Sequence, residues 1–349
     1  MSKVIKVGLC AFGMSGKLFQ APFFDVNPGF SLDYIVKRSN NSPIPDYPNA
    51  TILPSIEALI HHTDVDLIVV NTPIQTHFQF AKEALLKNKH VLVEKPFTVT
   101  SNEAQELILI ASEKKRILSV FQNRRWDRDF QQVSKIIQSK VLGDIHEVQI
   151  RFDRYRTHAS GKFHKEGNIP GSGALFDIGS HIIDQAIQLF GLPKHIYGDL
   201  MQLRNDVHSD DYFEIILFYE KLRVRLISNI MTPLIGPGYI VHGSNGSLIQ
   251  ERSDCQEQLL SKGIKPSKES WQSNLLGPDA NILTIQEGKK DNLQMFSQEG
   301  NYYHYFEALY QHLIGNSINP VSPQDAYNTI KIIELAHKSS ILGYKVIFE

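Results

Sequence analysis

The spacing of apolar residues along this chain changes near residue 143. Before that point, short unbroken apolar runs alternate with segments whose apolar residues recur every three or four positions. VIKVGLCAF (Val4–Phe12) is a nearly continuous apolar run rich in β-branched residues, the pattern of a strand buried on both faces. FSLDYIVKRS predicts a second strand, ATILP a short third and VDLIVVNTP (Val65–Pro73) a fourth. HVLVEKPF predicts a fifth, and RILSVFQNRRW a sixth with its exit. Between them lie helical patterns: SIEALIHHT with Ser55 as N-cap, HFQFAKEALLKN, and SNEAQELILIASEKK with Ser101 as cap. Six strands separated by helices predict an α/β fold with a parallel, doubly wound sheet and right-handed crossovers.

After Gly143 the period shortens to two. IHEVQIRFDRYR (Ile145–Arg156), HIYGDLMQLR, DYFEIILFYE, LRVRLISNIM and YIVHGSNGSLIQ alternate and are joined by short turns. They predict a largely antiparallel open sheet with one face solvated or covered by helices, in a second, α+β domain. A glycine-rich entry and a helix, GSGALFDIGSHIIDQAIQLFG (Gly171–Gly191), interrupt the strands. Residues 251–292 read as a polar, irregular, lid-like excursion with Trp271 as its anchor. YYHYFEALYQHLIG and PQDAYNTIKIIELAHKSSILG are amphipathic helices expected to pack on the sheets.

Composition adds bounds. With 349 residues, 42% of them hydrophobic, the chain can bury two cores. A formal net charge of −1 gives no global field for nucleic acid or anionic lipid, so neither is an expected partner. Cys10 and Cys255 are far apart, and Cys10 lies inside the first strand, so a disulfide framework is not expected and a reducing, cytoplasmic setting fits. The first residues run straight into a strand without the apolar region of a secretion signal, and no apolar run reaches membrane-spanning length.

In sheets of this kind ligands bind beyond the carboxyl ends of the strands, and here each such end carries chemistry. After the first strand come Ala11, Phe12, Gly13, Met14, Ser15 and Gly16, a G-x-G-x-x-G loop with alanine in the first slot. Gly13 would let backbone approach a pyrophosphate, and Gly16 would let the following helix pack closely on the strand. The fourth strand ends in Asn71, Thr72 and Pro73, the fifth in Glu94, Lys95 and Pro96, the sixth in Gln122, Asn123 and Arg124. All are candidate cofactor contacts. His77, just after NTPIQT, has two open readings: facing the cofactor from a helix amino end, or packing. The Lys95–Pro96 bond is a candidate for the cis form.

The second strand decides between cofactors. An NAD site places Asp or Glu at its end, whereas this chain has Lys37, Arg38 and Ser39, and Asp33 comes too early. Two cations and a hydroxyl suit a 2′-phosphate, so NADP(H) is preferred and NAD(H) stays open.

In the second domain Asp177 and His181 are four apart on one helix face, and Asp184 follows three later. For an isolated D-x-x-x-H the bland reading is a surface pair. Here the neighbours Leu175, Phe176, Ile178, Ile182 and Ile183 make the helix largely buried, and a carboxylate one turn from an imidazole suits a general acid/base. No metal-ligand cluster stands out.

Taken together, the glycine loop, EKP and D-x-G-x-H-x-x-D resemble the Gfo/Idh/MocA family of oxidoreductases over essentially the whole chain, including YNTIKIIELAHKSSILGYKV. SVFQNRRWDRDF is most similar to the scyllo-inositol dehydrogenase branch that uses NADP(H). The resemblance implies a Rossmann domain, here residues 1–124, and a substrate-binding and oligomerisation domain, 125–349, with the final helices free to pack back on the first. It implies that Lys95 lies between nicotinamide and substrate, that Asp177 and His181 are the acid–base pair, and that the open sheet mediates a homodimer or homotetramer. Polar residues offered for substrate hydroxyls are Arg125, Trp126, Asp127, Arg154, Tyr155 and His158. The expected activity is hydride transfer between NADP(H) and a CH–OH or C=O carbon of a cyclic polyol or sugar, with scyllo-inositol and its inosose foremost. Two alternatives stand beside it: an enzyme for another sugar or cyclic substrate, and a cofactor-binding sensor without chemistry, which would have no need of Lys95, Asp177 and His181 together.

Overall fold

The computed structural model describes residues 3–37, 42–62, 64–269, 280–286, 288–293 and 299–349. The chain divides into two compact units. The first takes the described parts of 1–123, 256–271 and 301–327; the second takes those of 124–255, 272–300 and 328–349.

In the first unit the apolar runs form β1 (Ile5–Leu9), β2 (Phe30–Val36), β3 (Thr51–Leu53), β4 (Leu67–Val70), β5 (His90–Glu94) and β6 (Leu118–Phe121). All six pair in parallel, in the order β3-β2-β1-β4-β5-β6. Every residue of β4 and β6 is buried, as an apolar run without alternation requires. The order reverses between β1 and β4, and the carboxyl ends of those strands flank the crevice where such sheets take ligands.

Helix starts follow local chemistry. Ser55 caps Ile56–Ile60 by accepting from the Ala58 N–H at 3.1 Å. The cap of Ser101–Glu113 is Thr100 rather than Ser101. Thr100 is extended and accepts from the Glu103 N–H at 3.2 Å, while the Glu103 carboxylate accepts from the Thr100 N–H at 3.0 Å.

The helix Tyr303–Leu313 belongs to this unit, and aromatic packing explains why. Phe306 stacks on Phe23 at 4.8 Å and meets Phe24 edge-on at 5.0 Å. Each such fully buried ring contributes about 2–3 kcal/mol, so the three together outweigh the roughly 5 kcal/mol that the sequence distance costs in loop entropy.

The second unit holds a sheet ordered β14-β13-β12-β11-β7-β10-β9-β8-β15. Its strands are β7 (Ile145–Arg151), β8 (His195–Met201), β9 (Tyr212–Phe218), β10 (Arg223–Asn229), β11 (Tyr239–Gly243), β12 (Gly246–Gln250), β13 (Asn281–Gln286), β14 (Lys289–Leu293) and β15 (Val346–Ile347). Among the described residues of this sheet, only β7 and β10 pair in parallel. YIVHGSNGSLIQ is a hairpin, β11 and β12, closing where Gly243 faces Gly246.

The sequence pattern had no place for several elements. The excursion at 251–292 contains the helix Gln256–Ser261 and most of the hairpin β13–β14, with irregular chain at 251–255 and 262–269, so its described part is only partly irregular; Trp271 lies outside the described residues. β14 reads KKDNL, which no hydrophobic alternation marks as a strand. The helix Arg128–Gln138 buries Phe130, Val133 and Ile136, but also Arg128, Asp129 and Gln132, and those polar positions mask its apolar stripe. Among the described residues, no helix is long and apolar enough to cross a membrane.

Candidate active site

The cofactor-side residues come together at the carboxyl ends of β1, β4 and β5. Asn71, just past β4, grips Ala11 through two hydrogen bonds: the Ala11 N–H donates to Asn71 Oδ1 at 2.9 Å, and Asn71 Nδ2 donates to the Ala11 carbonyl at 2.8 Å. A side-chain amide thereby satisfies both backbone groups where the chain leaves the sheet. Gly16 closes against the same place: a Cβ there would stand 2.5 Å from the Ala11 carbonyl oxygen and 3.0 Å from Asn71 Nδ2. At Gly13 a Cβ would meet nothing within 4 Å, so the loop presents bare backbone to open space. A crowded Gly16 beside an open Gly13 is what a pyrophosphate-cradling loop needs, and the residues fit a nicotinamide dinucleotide. Met14 is exposed, and Phe12 sits edge-on to Tyr47.

From Gly16 to Gln20 the following helix is π-type before it continues as the α-helix Ala21–Val26. Single π turns are concentrated at functional sites. The wide turn carries Gln20 onto Glu94: its Nε2 donates to Oε1 at 2.7 Å, and the Ser15 hydroxyl donates to the same oxygen. Burial pushes the Glu94 carboxyl above its usual range, and the Ser15 and Gln20 donors pull it back. The EKP turn is thus fastened to the glycine loop, with half-buried Lys95 next in the chain and Lys95–Pro96 cis.

His77 is 1% exposed, and its ring bridges two loops. Nδ1 lies 2.9 Å from the Pro96 carbonyl oxygen and Nε2 lies 2.8 Å from that of Thr72. Of the two readings of His77, the packing role is the one with named contacts. Burial lowers its pKa while the carbonyls act the other way. The Thr76 hydroxyl donates to the Pro73 carbonyl at 2.8 Å and accepts from the Thr72 hydroxyl at 2.7 Å. Gln122 and Asn123 are buried just past β6. The Lys37 N–H donates to the Leu53 carbonyl at 3.2 Å; Arg38 and Ser39 lie outside the described residues.

In the second unit, Asp177 lies in another π turn, Leu175–Gly179, which runs directly into the α-helix Ser180–Phe190 bearing His181. His181 is 6% exposed, whereas the Asp177 side chain is 36% exposed and pairs with Lys165, Nζ to Oδ1 at 2.9 Å. Lys165 escapes sequence reasoning because no motif marks it; it stands in the short helix Phe163–Glu166, a sequence with no periodic signal.

The residues offered for substrate hydroxyls divide. Arg125 is buried and forks onto Asp184, Nε at 2.8 Å and Nη2 at 2.6 Å. Asp127 is buried and takes Arg124 Nη1 at 3.0 Å, while the Arg124 carbonyl accepts from Gln185 at 3.0 Å. These contacts pin the start of the unit to the helix of His181. Arg154 lies over the Phe152 ring at 4.7 Å, and Trp126 is half-buried. Tyr155 and His158 remain exposed.

A six-stranded sheet in this order, with an open glycine loop at its switch point, defines a dinucleotide-dependent protein with a separate mixed-sheet unit. The chain belongs to the Gfo/Idh/MocA oxidoreductase family. Residues 5–122 match its NAD-binding Rossmann fold and residues 134–346 its C-terminal alpha/beta domain. It is 38% identical to the uncharacterized oxidoreductase YdgJ of Escherichia coli, over 97% of each chain. It is 34% identical to the scyllo-inositol 2-dehydrogenase (NADP(+)) IolW of Bacillus subtilis, over 96% of this chain and 94% of that one. The solved structure of YvaA from Bacillus subtilis covers 99% of this chain and 100% of its own, with a TM-score of 0.93 and 32% identity.

Proposed function

We propose that this oxidoreductase, preferring NADP(H), interconverts a CH–OH and a C=O group on a cyclic polyol or sugar, with scyllo-inositol and its inosose as leading substrates. The observation that carries this reading is the grip of Ser15 and Gln20 on Glu94, which ties the turn holding Lys95 to the phosphate loop. Bound nicotinamide supplies the hydride acceptor or donor. His181 takes the hydroxyl proton in oxidation and returns it in reduction. Asp177 orients the imidazole and accepts from a substrate hydroxyl. Lys95 donates to the substrate oxygen and offsets the negative charge that grows there. The likeness to IolW supports the substrate class and the NADP(H) preference, and the sequence Lys37-Arg38-Ser39 agrees with the latter.

The same reading includes self-association through the outer face of the second sheet, where Ile249 and Ile285 are exposed. Equilibrium sedimentation giving a monomer at micromolar concentration would remove that part.

The test follows nicotinamide absorbance with NADPH and NADH against keto-inositols and ketosugars, with Lys95→Ala alongside. Turnover of an inosose with NADPH, abolished in the variant, is the expected result. Turnover with NADH alone overturns the cofactor preference. Turnover only of other ketosugars overturns the substrate, and undiminished activity of Lys95→Ala overturns the role of the lysine.

A further inference from the structure

The helical segment bearing Asp177 and His181 begins at a tightly built corner. The Ala174 N–H donates to the backbone carbonyl of Asp210 at 2.8 Å, and the Leu175 N–H donates to its carboxylate Oδ2 at 2.7 Å. Gly173, at φ +100°, lies so close that a Cβ would stand 2.0 Å from Asp210 Oδ1. Asp210 enters β9, whose Phe213, Ile215 and Leu217 are fully buried, so the corner is fastened to the sheet. Its neighbour Asp211 faces elsewhere, taking the Leu203 and Arg204 N–H groups at 2.6 and 3.1 Å and Arg204 Nε at 2.9 Å.

We infer that Asp210 is a positioning residue for the Asp177–His181 pair: it clamps the amino end of the helical segment that carries both. A carboxylate accepting an N–H at a helix amino end makes a charge-assisted bond aided by the helix dipole. The protonated acid keeps only a neutral acceptor. Burial pushes the Asp210 carboxyl up to about 7, with the Asp211 charge acting the same way and the Leu175 and Ala174 N–H groups acting against it. The other charged groups around the corner are accounted for. His208 and His337 border the same cavity of about 450 Å³ as Asp210. Arg204 is held by Asp211 and Glu166. Lys165 gives its carbonyl to the Gly173 N–H at 2.8 Å and its ammonium to Asp177. The clamp therefore tightens as pH rises through neutrality.

The catalytic consequence rests on the acid–base reading above; the clamp itself rests on the hydrogen bonds. The experiment measures backbone amide exchange over residues 173–181 in the full chain, corrected for intrinsic rates, at pH 6 and pH 8.5. Wild type, Asp210→Ala and Asp210→Asn are compared, with kcat and cofactor KM across the same pH range. Wild type gains protection at the higher pH. Asp210→Ala exchanges about tenfold faster there, the equivalent of one charge-assisted hydrogen bond. Asp210→Asn recovers part of the protection and loses the pH dependence, in exchange and in the acid limb of kcat alike, with cofactor KM unchanged. Unchanged exchange in Asp210→Ala overturns the proposal. If that variant does not fold, Asp210→Asn decides: wild-type pH dependence overturns the clamp, and its loss upholds it. The clamp signature in a wild type without turnover upholds the positioning and counts against the acid–base reading alone.

Discussion

Lys165 Nζ lies 2.9 Å from Asp177 Oδ1, a cation held directly on the carboxylate of the candidate acid–base pair. Both side chains are 36% exposed, so the pair contributes little to stability, about 0.5 kcal/mol. On the proposed acid–base reading its effect belongs to the chemistry: the ammonium restricts the rotamer of Asp177. Lys165→Met is expected to lower kcat/KM about tenfold, the loss of ~1.4 kcal/mol from the transition state, while leaving the thermal midpoint unchanged. Steady-state kinetics and calorimetry on the same sample check both halves. An unaltered kcat/KM would show that the ion pair is only surface decoration.

The two bonds between Asn71 and Ala11 predict a different pattern. Asn71 is buried, so Asn71→Ala strands an N–H and a carbonyl at the mouth of the phosphate loop. The expected cost is about 2 kcal/mol of stability, with dinucleotide binding weakened in proportion to the loop's loss of order. Denaturant unfolding with and without NADPH separates the two. Gly16→Ala should abolish binding outright, because its Cβ would meet the Ala11 carbonyl rather than a movable side chain.

Arg125 offers a test between substrate contact and architecture. It and Asp184 form a buried, forked ion pair. Arg125→Ala leaves a carboxylate buried without its charge partner and should destabilise the protein by about 3–5 kcal/mol, whereas the double change Arg125→Met with Asp184→Leu should restore most of that. A single variant of normal stability but raised substrate KM would assign Arg125 to substrate binding instead.

His90 sets one part of the acid sensitivity. Its Nδ1 accepts from the Ile117 N–H at 3.0 Å, and burial pulls the imidazole down to about 4. Below the ordinary histidine value the unfolded chain takes up a proton that the folded chain refuses. Stability from His90 is therefore present above that value and is lost as pH falls toward the folded pKa, by about 1 kcal/mol between about pH 7.5 and 5.5. Asp210 acts on global stability with the opposite sign: its raised carboxyl keeps its proton in the fold, so that contribution declines as pH rises toward 7, whereas the Leu175 N–H bond alone, whose opening leaves Asp210 buried, strengthens on ionisation. Comparing wild type with His90→Gln at each pH cancels the Asp210 part. The variant should show a smaller loss on acidification; an equal loss would contradict the half-buried, neutral His90.

By itself the sequence determined the six parallel strands, the glycine loop, Lys95 at the end of β5, and Asp177 and His181 on one helical segment. These features are local: an apolar run too short for a helix and rich in β-branched residues satisfies its backbone in a sheet, and a strand–glycine–helix succession needs no distant partner to be recognised. Tertiary structure decided what depends on residues far apart. β14 is a polar strand held by pairing with β13 rather than by an apolar face, and the helix at 128–138 hides its stripe behind arginine, aspartate and glutamine that find buried partners. The partners of Arg125 and His77 leave no mark in the sequence: Asp184 stands beside the first, and the Thr72 and Pro96 carbonyls close on the ring of the second, whose two readings the sequence leaves open. Lys165 and Asp210 carry no motif, because an ion pair or a capping carboxylate supplied from another segment leaves no periodic trace. Only folding, which brings those segments within hydrogen-bonding distance, gives such side chains their roles.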